Sequence, residues 1–210
     1  MEFDSFLSLI SKLDHIKLGG FTSHKKMIPK QRIHYSKESI TQLQPKKAAV
    51  LALFYPNNEK ETCFLLTLRA HYNGTHASQI SFPGGKFEKS DENLKNTALR
   101  ETFEEVGVKS EDVIIKKQMT DTFIPPSNFL VSPFIGILNK TPVFKPNHEV
   151  DQIIEVKLAD LLNNKTITTK KLSTSYMKNI DVPCFKLNNY TVWGATAMML
   201  SEIKDLLESL

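Results

Sequence analysis

The sequence predicts an α/β fold in which a mixed β-sheet is sandwiched between helices. Short apolar runs bounded by turn residues recur between Ala48 and Leu187, as a folded sheet requires. Amphipathic helical patterns flank them near each end, and a third, glutamate-rich helical pattern interrupts them before Gly107. Strands mixed with only a few helices indicate a mixed sheet rather than a doubly wound parallel one.

The elements follow in order. Phe3, Phe6, Leu7, Ile10 and Leu13 recur at helical spacing and Gly19-Gly20 stops that helix. Residues 21–47 are polar and basic, interrupted by Pro29 and Pro45, and read as an irregular arm. The expected division is therefore residues 1–47 as an N-terminal helix and arm laid on the core, and residues 48–210 as the main domain. Ala48 to Tyr55 and Cys63 to Leu68 form two strands joined by a turn at Pro56–Glu61. Further strands are expected at Gln79–Phe82, Val113–Met119, Phe129–Leu138, Ile153–Leu158 and Val182–Leu187, with a short turn or helix at Asp160–Leu162. A closing helix after Trp193 carries Met199, Leu200, Ile203, Leu206, Leu207 and Leu210 as its apolar stripe.

Composition narrows the function classes. With 210 residues, 40% hydrophobic and 24% charged, the chain is long enough to bury a full core in one domain. Its net charge of +4 is modest, the lysines are scattered, and the one basic cluster is Lys25, Lys26, Lys30 and Arg32, so no nucleic-acid partner is expected. No apolar run approaches the ~18 residues that span a bilayer, and the N-terminal residues lack the basic start of a signal peptide, so no membrane partner is expected. Cys63 and Cys184 lie far apart inside strand-like stretches and read as buried thiols of a reducing compartment, which makes the cytosol the expected location. A monomer or a dimer is expected.

The chemistry concentrates on the central helix. Ser90 or Asp91 is its expected N-cap, it runs to about Val106, and Gly107 suits the left-handed position that ends it. At about 100° per residue, Leu99, Thr102, Phe103 and Val106 share the arc expected to face the core, while Glu101, Glu104 and Glu105 share another. Clustered carboxylates repel one another, and they sit in the half of the helix where the macrodipole disfavours negative charge. A divalent cation relieves both penalties, and hard oxygen ligands suit Mg²⁺ or Mn²⁺. Gly84-Gly85 permits a tight loop whose carbonyl can turn toward such a metal, and Arg100 can grip a carboxylate through its fork of donors.

The segment GGKFEKSDENLKNTALRETFEEVGV resembles the signature of Nudix hydrolases, with Gly85, Arg100, Glu101, Glu104, Glu105 and Gly107 in register. Asp91 keeps the family spacing to the glycine and Glu92 the spacing to the arginine, so the loop is one residue longer; Glu92 points away from the glutamate cluster and is read as structural. The preceding segment FLLTLRAHYNGTHASQISFPGG resembles that of coenzyme A pyrophosphatases, although Ala70, Asn73, Gly74 and Ser78 depart from the pattern. Gly74 stands where the pattern usually has an arginine, and so lacks the basic side chain that could hold a substrate phosphate.

The resemblance implies a Nudix-type α/β/α sandwich and hydrolysis of the diphosphate of coenzyme A or acyl-CoA with Mg²⁺ or Mn²⁺. It implies metal ligation by Glu101 and Glu105 with the Gly84 carbonyl, and by Glu104 directly or through water. The catalytic candidates are Glu104 or Glu149 as general base, together with Arg100. Substrate-binding candidates are Arg69, Lys86, Arg32, His76 and Phe129, with Lys25-Lys26, His71, Phe123, Pro125 and Pro126 as further contacts. Other readings are a Nudix hydrolase of another nucleoside diphosphate derivative, such as ADP-ribose, a dinucleoside polyphosphate or a nucleoside triphosphate, and a non-catalytic nucleotide-binding Nudix module.

Overall fold

A computed structural model describes residues 1–30, 35–70, 79–173 and 178–210. The chain opens with α1 (Phe3–Ile10), whose Phe3, Phe6 and Ile10 fall on one buried face. Two short helices follow, α2 (Phe21–His24) and α3 (Lys37–Gln42), the second capped by the Ser36 hydroxyl accepting from the Ser39 N–H. The strand β1 (Lys46–Pro56) turns into β2 (Thr62–Arg69) through a loop closed by Asn57, whose side-chain oxygen accepts from the N–H groups of Glu59 and Glu61. Next come β3 (Ile80–Ser81), β4 (Gly84–Lys86) and α4 (Leu94–Val106). The second half holds β5 (Val113–Gln118), β6 (Thr122–Ile124), β7 (Phe129–Leu138), β8 (Val150–Lys157), α5 (Leu158–Leu162), β9 (Ile167–Leu172), β10 (Ile180–Leu187), β11 (Tyr190–Trp193) and α6 (Gly194–Glu208).

The centre of the main sheet is β1. It runs parallel to β7, from Lys46 opposite Phe129 to Phe54 opposite Ile137. Its other edge takes β4 at one end and β2 at the other, both antiparallel. Strand β8 extends the sheet beyond β2, and β5 and β6 extend it beyond β7. The mixed sheet expected from the sequence is thus present, with a separate three-stranded sheet ordered β11-β10-β9.

Side chains on β1 alternate between two cores because successive residues of a strand point to opposite faces. Ala49, Leu51, Leu53 and Tyr55 pack with Ala98 and Val106 of α4. Ala48, Ala52 and Phe54 share the opposite core with Phe6 of α1, Phe185 of β10 and Ile203 of α6. Among the described residues no helix is long and apolar enough to cross a membrane. The thiols of Cys63 and Cys184 are free and buried.

Several local expectations are corrected. Asn93, not Ser90 or Asp91, caps α4, with its side chain accepting from the Asn96 N–H. The buried arc of α4 is Thr97, Ala98, Thr102, Glu105 and Val106, whereas Phe103 is 51% exposed. The buried arc differs from the expected one because Glu105, expected on a separate arc with Glu101 and Glu104, turns inward to Arg69 and the Gly84 N–H. Gly107 does end the helix, at φ 75°. The arm at residues 21–47 carries α2 and α3 within its described part. Strands β4, β6, β9 and β11 were not anticipated: β4 is largely glycine, β6 is very short, and most of β9 is exposed and so lacks an alternating apolar pattern.

Candidate active site

The loop that leads into α4 is held by contact with β1. Gly84 has φ 151°, and a Cβ there would lie 2.3 Å from the carbonyl oxygen of Ala49. At Gly85 a Cβ would lie 2.4 Å from the carboxyl carbon of Glu101, so this glycine leaves the space into which that carboxylate packs. The Gly84 N–H donates to Glu105 Oε2 at 3.2 Å, tying the loop to the helix.

Arg100 and Asp91 fix the loop's far side. Arg100 donates from Nε to Asp91 Oδ1 at 2.6 Å, from Nη2 to Asp91 Oδ2 at 3.1 Å and to the Lys86 carbonyl at 3.1 Å, and from Nη1 to Glu104 at 3.0 Å. Asp91 also accepts from the Glu88 N–H and the Thr97 hydroxyl. The Arg100 guanidinium above all, with those further donors, holds the Asp91 carboxyl at about 2, and the guanidinium's own pKa is raised in return. The fork predicted for Arg100 is real, and its main partner is Asp91.

The glutamates divide by environment. Glu105 is 2% exposed. Burial pushes its carboxyl up to about 7; Arg69 and the Gly84 N–H pull the other way, while Glu101 and Glu149 add repulsion. Glu101 is raised by burial too, against the pull of Arg100, whose Nη1 lies 3.1 Å away. Arg69 reaches in from the end of β2, with Nη1 3.3 Å from Glu105 and Nη2 3.5 Å from Glu149. Glu104 and Glu149 are each 50% exposed along the side chain. Among the described residues no three acidic, histidine or cysteine side chains converge on one point as a closed metal cage. The donor chemistry nevertheless suits a hard divalent cation: Glu101 and Glu105 lie one turn apart, Glu101 raises the proton affinity of Glu105, and Glu101 rests in a space that only glycine leaves open.

Glu105 gives the metal-free protein a signed pH dependence. Its folded-state pKa is above the unfolded value of 4.5, so the stability it contributes is fully present below about 4.5 and is lost as pH rises through about 7. A shift of that size corresponds to roughly 3 kcal/mol. In chelator, the wild-type protein is expected to lose melting temperature between pH 4.5 and 8 relative to the Glu105→Gln variant, which has no such proton to lose. Parallel pH profiles for the two proteins would contradict this.

Beside the glutamates lies a cavity of about 540 Å³, lined mostly by apolar groups. Arg69, Gly84, Gly85 and Lys86 line it where it meets the acidic helix, and Phe129, Pro125 and Pro126 line it farther along. The structure therefore brings Arg69, Lys86 and Phe129 to one cavity. Arg32, His71 and His76 lie outside the described residues. Phe123 is buried behind the wall, its ring 5.3 Å from that of Tyr35, and Lys26 is committed to Asp205 at 2.6 Å. Tyr35, Ile80, Val182, Trp193 and Thr196 also line the cavity and were not proposed as contacts from the sequence. Residues so distant along the chain carry no local signal of a shared wall.

Loop, acidic helix and mixed sheet together define a Nudix-type α/β sandwich. The sequence profile of the NUDIX domain matches residues 45–175, more than half of the chain, and the chain belongs to the Nudix family. It is 29% identical over 155 residues to the peroxisomal coenzyme A diphosphatase ndx-8 of Caenorhabditis elegans, covering 72% of this chain and 64% of that protein. It is 30% identical over 146 residues to the mitochondrial coenzyme A diphosphatase NUDT8 of Homo sapiens, covering 68% and 62%. A third relative, the chloroplastic Nudix hydrolase 22 of Arabidopsis thaliana, is 29% identical over 75% of this chain. The chain spans 54% to 64% of the length of these relatives. Among solved structures, the Nudix hydrolase RenU of M. smegmatis superposes with a TM-score of 0.55 at 14% identity, covering 88% of this chain and 94% of that one. The likeness is one of fold.

Proposed function

We propose that this chain is a divalent-metal-dependent diphosphatase that cleaves coenzyme A or acyl-CoA into 4′-phosphopantetheine, or its acyl form, and adenosine 3′,5′-bisphosphate. The observation that carries this reading is the shared boundary at Gly84–Lys86 between a buried carboxylate cluster and a largely apolar cavity of about 540 Å³. A diphosphate placed at that boundary has charge-bearing groups on one side and room for a long, mainly apolar arm or a base on the other. The names of the ndx-8 and NUDT8 relatives support the same substrate class.

Mg²⁺ or Mn²⁺ fits the donor set: Glu101 and Glu105 would hold it directly, the Gly84 carbonyl would be a further ligand, and Glu104 would bind it directly or through water. When bound, the metal supplies charge neutralisation for the diphosphate and acidifies the attacking water. The protein's residues do the rest. Arg69 and Lys86 face the cavity where phosphate oxygens would lie, and Phe129 with its neighbours holds an apolar part of the substrate. Arg100 positions the helix and loop through Asp91, which keeps Glu101 against Gly85. Arg32 and His76 remain further candidates for substrate contact. A water oxygen bonds to one phosphorus, the bridging P–O bond breaks, and a carboxylate takes the water's proton. Glu104 is held by Arg100, whereas Glu149 sits across Arg69 from Glu105, which supports Glu149 as that base.

Incubation with Mg²⁺ and coenzyme A is expected to yield both halves by mass spectrometry, and Glu149→Gln to lower turnover by roughly 10²–10⁴-fold. Full activity in that variant would remove Glu149 from the chemistry. Rapid cleavage of ADP-ribose or a dinucleoside polyphosphate with coenzyme A left intact would replace the substrate assignment.

The packing of Phe3, Phe6 and Ile10 into the same core as β1 supports residues 1–47 as a helix and arm laid on the domain formed by residues 48–210. The two buried free thiols support a reducing compartment, for which we take the cytosol.

A further inference from the structure

We propose that Asn147 is a positioning residue of this site, which fixes the Glu149 carboxylate relative to the acidic helix. This rests on the reading of Glu149 as the general base.

The last four carbonyls of a helix have no partner within it. The connection between β7 and β8, residues 139–149, takes two of those at the end of α4. The Lys145 N–H donates to the Val106 carbonyl and the Asn147 N–H to the Glu105 carbonyl, each at 2.9 Å. Gly107 admits the connection, since a Cβ there would lie 3.0 Å from the Lys145 Cβ. The path of the connection is thereby set by the turn of helix that carries Glu105.

Asn147 carries that register forward to Glu149. Its side-chain Oδ1 accepts from the Glu149 N–H at 2.8 Å, and its carbonyl accepts from the Val150 N–H at 3.2 Å, where β8 begins. One residue therefore bonds to the backbone of Glu105 on one side and to the backbone of Glu149 on the other. Asparagine suits this place because its short side chain reaches the N–H two residues ahead while its own N–H stays available to the helix. The Glu149 carbonyl accepts in turn from the Ala70 N–H at 2.8 Å, just past β2. The backbone has to supply this precision, because the Glu149 side chain is 50% exposed and gains little from packing. Its charge is drawn toward Arg69, 3.5 Å away, and repelled by Glu101 and Glu105. A base acts only within hydrogen-bond reach of the water it deprotonates, and a misplacement of about 1 Å can cost a factor of about 10².

The test compares wild-type, Asn147→Ala, Asn147→Asp, Glu149→Gln and the Asn147→Ala/Glu149→Gln double variant with Mg²⁺ and coenzyme A. Asn147→Ala is expected to lower kcat by about 10- to 100-fold. KM, and the affinity for Mn²⁺ alone followed by electron paramagnetic resonance, stay near wild-type. In the metal-free protein the Glu149 amide exchanges its hydrogen faster, as followed by NMR, because its acceptor has gone. Asn147→Asp keeps the acceptor and is expected to restore most of kcat. In the Glu149→Gln background the Asn147→Ala change is expected to cost less than about twofold, because the group it positions is already lost. If Asn147→Ala does not fold, Asn147→Ser, whose hydroxyl makes the same turn more weakly, takes its place. A loss of kcat confined to the background that retains Glu149 then supports the proposal, and wild-type kcat overturns it. Wild-type kcat in Asn147→Ala, or an equal loss with and without Glu149, overturns the positioning role and leaves Glu149 as the base. Full activity in Glu149→Gln, or no cleavage of coenzyme A by wild-type, removes the reading of the site and the positioning role together.

Discussion

Glu105→Gln is expected to lower turnover of the proposed substrate, coenzyme A, by about a thousandfold, with the fold intact. The amide keeps the volume of the carboxyl and can still accept from the Gly84 N–H, so the loop stays in place. What it loses is the negative charge. If the bound metal contributes several kcal/mol of transition-state stabilisation, weakening it by about 4 kcal/mol gives that factor. Steady-state rates with Mg²⁺, beside a circular dichroism spectrum matching wild-type, check the prediction. Activity within tenfold of wild-type would show that Glu105 is a structural acid.

The largest expected effect on stability lies elsewhere, at Glu202 on α6, which is fully buried. Its Oε1 accepts from the Gly20 N–H at 2.6 Å and the Thr120 hydroxyl at 2.6 Å, and its Oε2 accepts from the Thr120 N–H at 3.0 Å and lies 3.5 Å from His24. Burial alone would raise this carboxyl, but the bonds from His24, Thr120 and Gly20 outweigh it and leave it below the ordinary value. Glu202→Ala strands all of those donors. Breaking a buried, charge-assisted network costs about 3–5 kcal/mol. At roughly 2–4 °C per kcal/mol for a chain of this size, the melting temperature should fall by about 10 °C. Glu202→Gln, which keeps an acceptor, should fall less. Equal melting temperatures for Ala and wild-type would show that the network contributes nothing net.

These two glutamates also show what was legible in the sequence. The R-E-x-x-E-E run around Glu105 was readable because it places residue types at the fixed spacing of the Nudix signature on one helix. Its burial was not, since the partners that make burial tolerable, Arg69 and the Gly84 N–H, come from other elements. Periodicity placed Phe103 on the arc expected to face the core and Glu105 on a separate one, whereas the tertiary contacts bury Glu105 and leave Phe103 exposed. Glu202 carried no signal at all: in a helix whose stripe includes Leu200, Ile203 and Leu206, one acid looks like surface. The strands of the main sheet were readable where apolar residues alternate or run together, as in Phe129–Leu138, and unreadable in β9, which faces solvent. Cavity residues such as Tyr35 and Trp193 meet only after the chain has folded.

The bond from Gly20 to Glu202 closes a loop of 182 residues, and the entropy of closing it costs roughly 4–5 kcal/mol before any contact repays it. The pairing of β1 with β4 and the docking of α4 on β1 span far shorter stretches. Local contacts of that kind form early and long-range ones late. The carboxylate face is therefore expected to be assembled by a compact segment among the first parts to organise, and the cavity walls from Tyr35, Val182 and Trp193 to be completed last. Partial opening should follow the reverse order, exposing the recognition wall to solvent and to hydrogen exchange while the glutamate helix remains folded on its sheet.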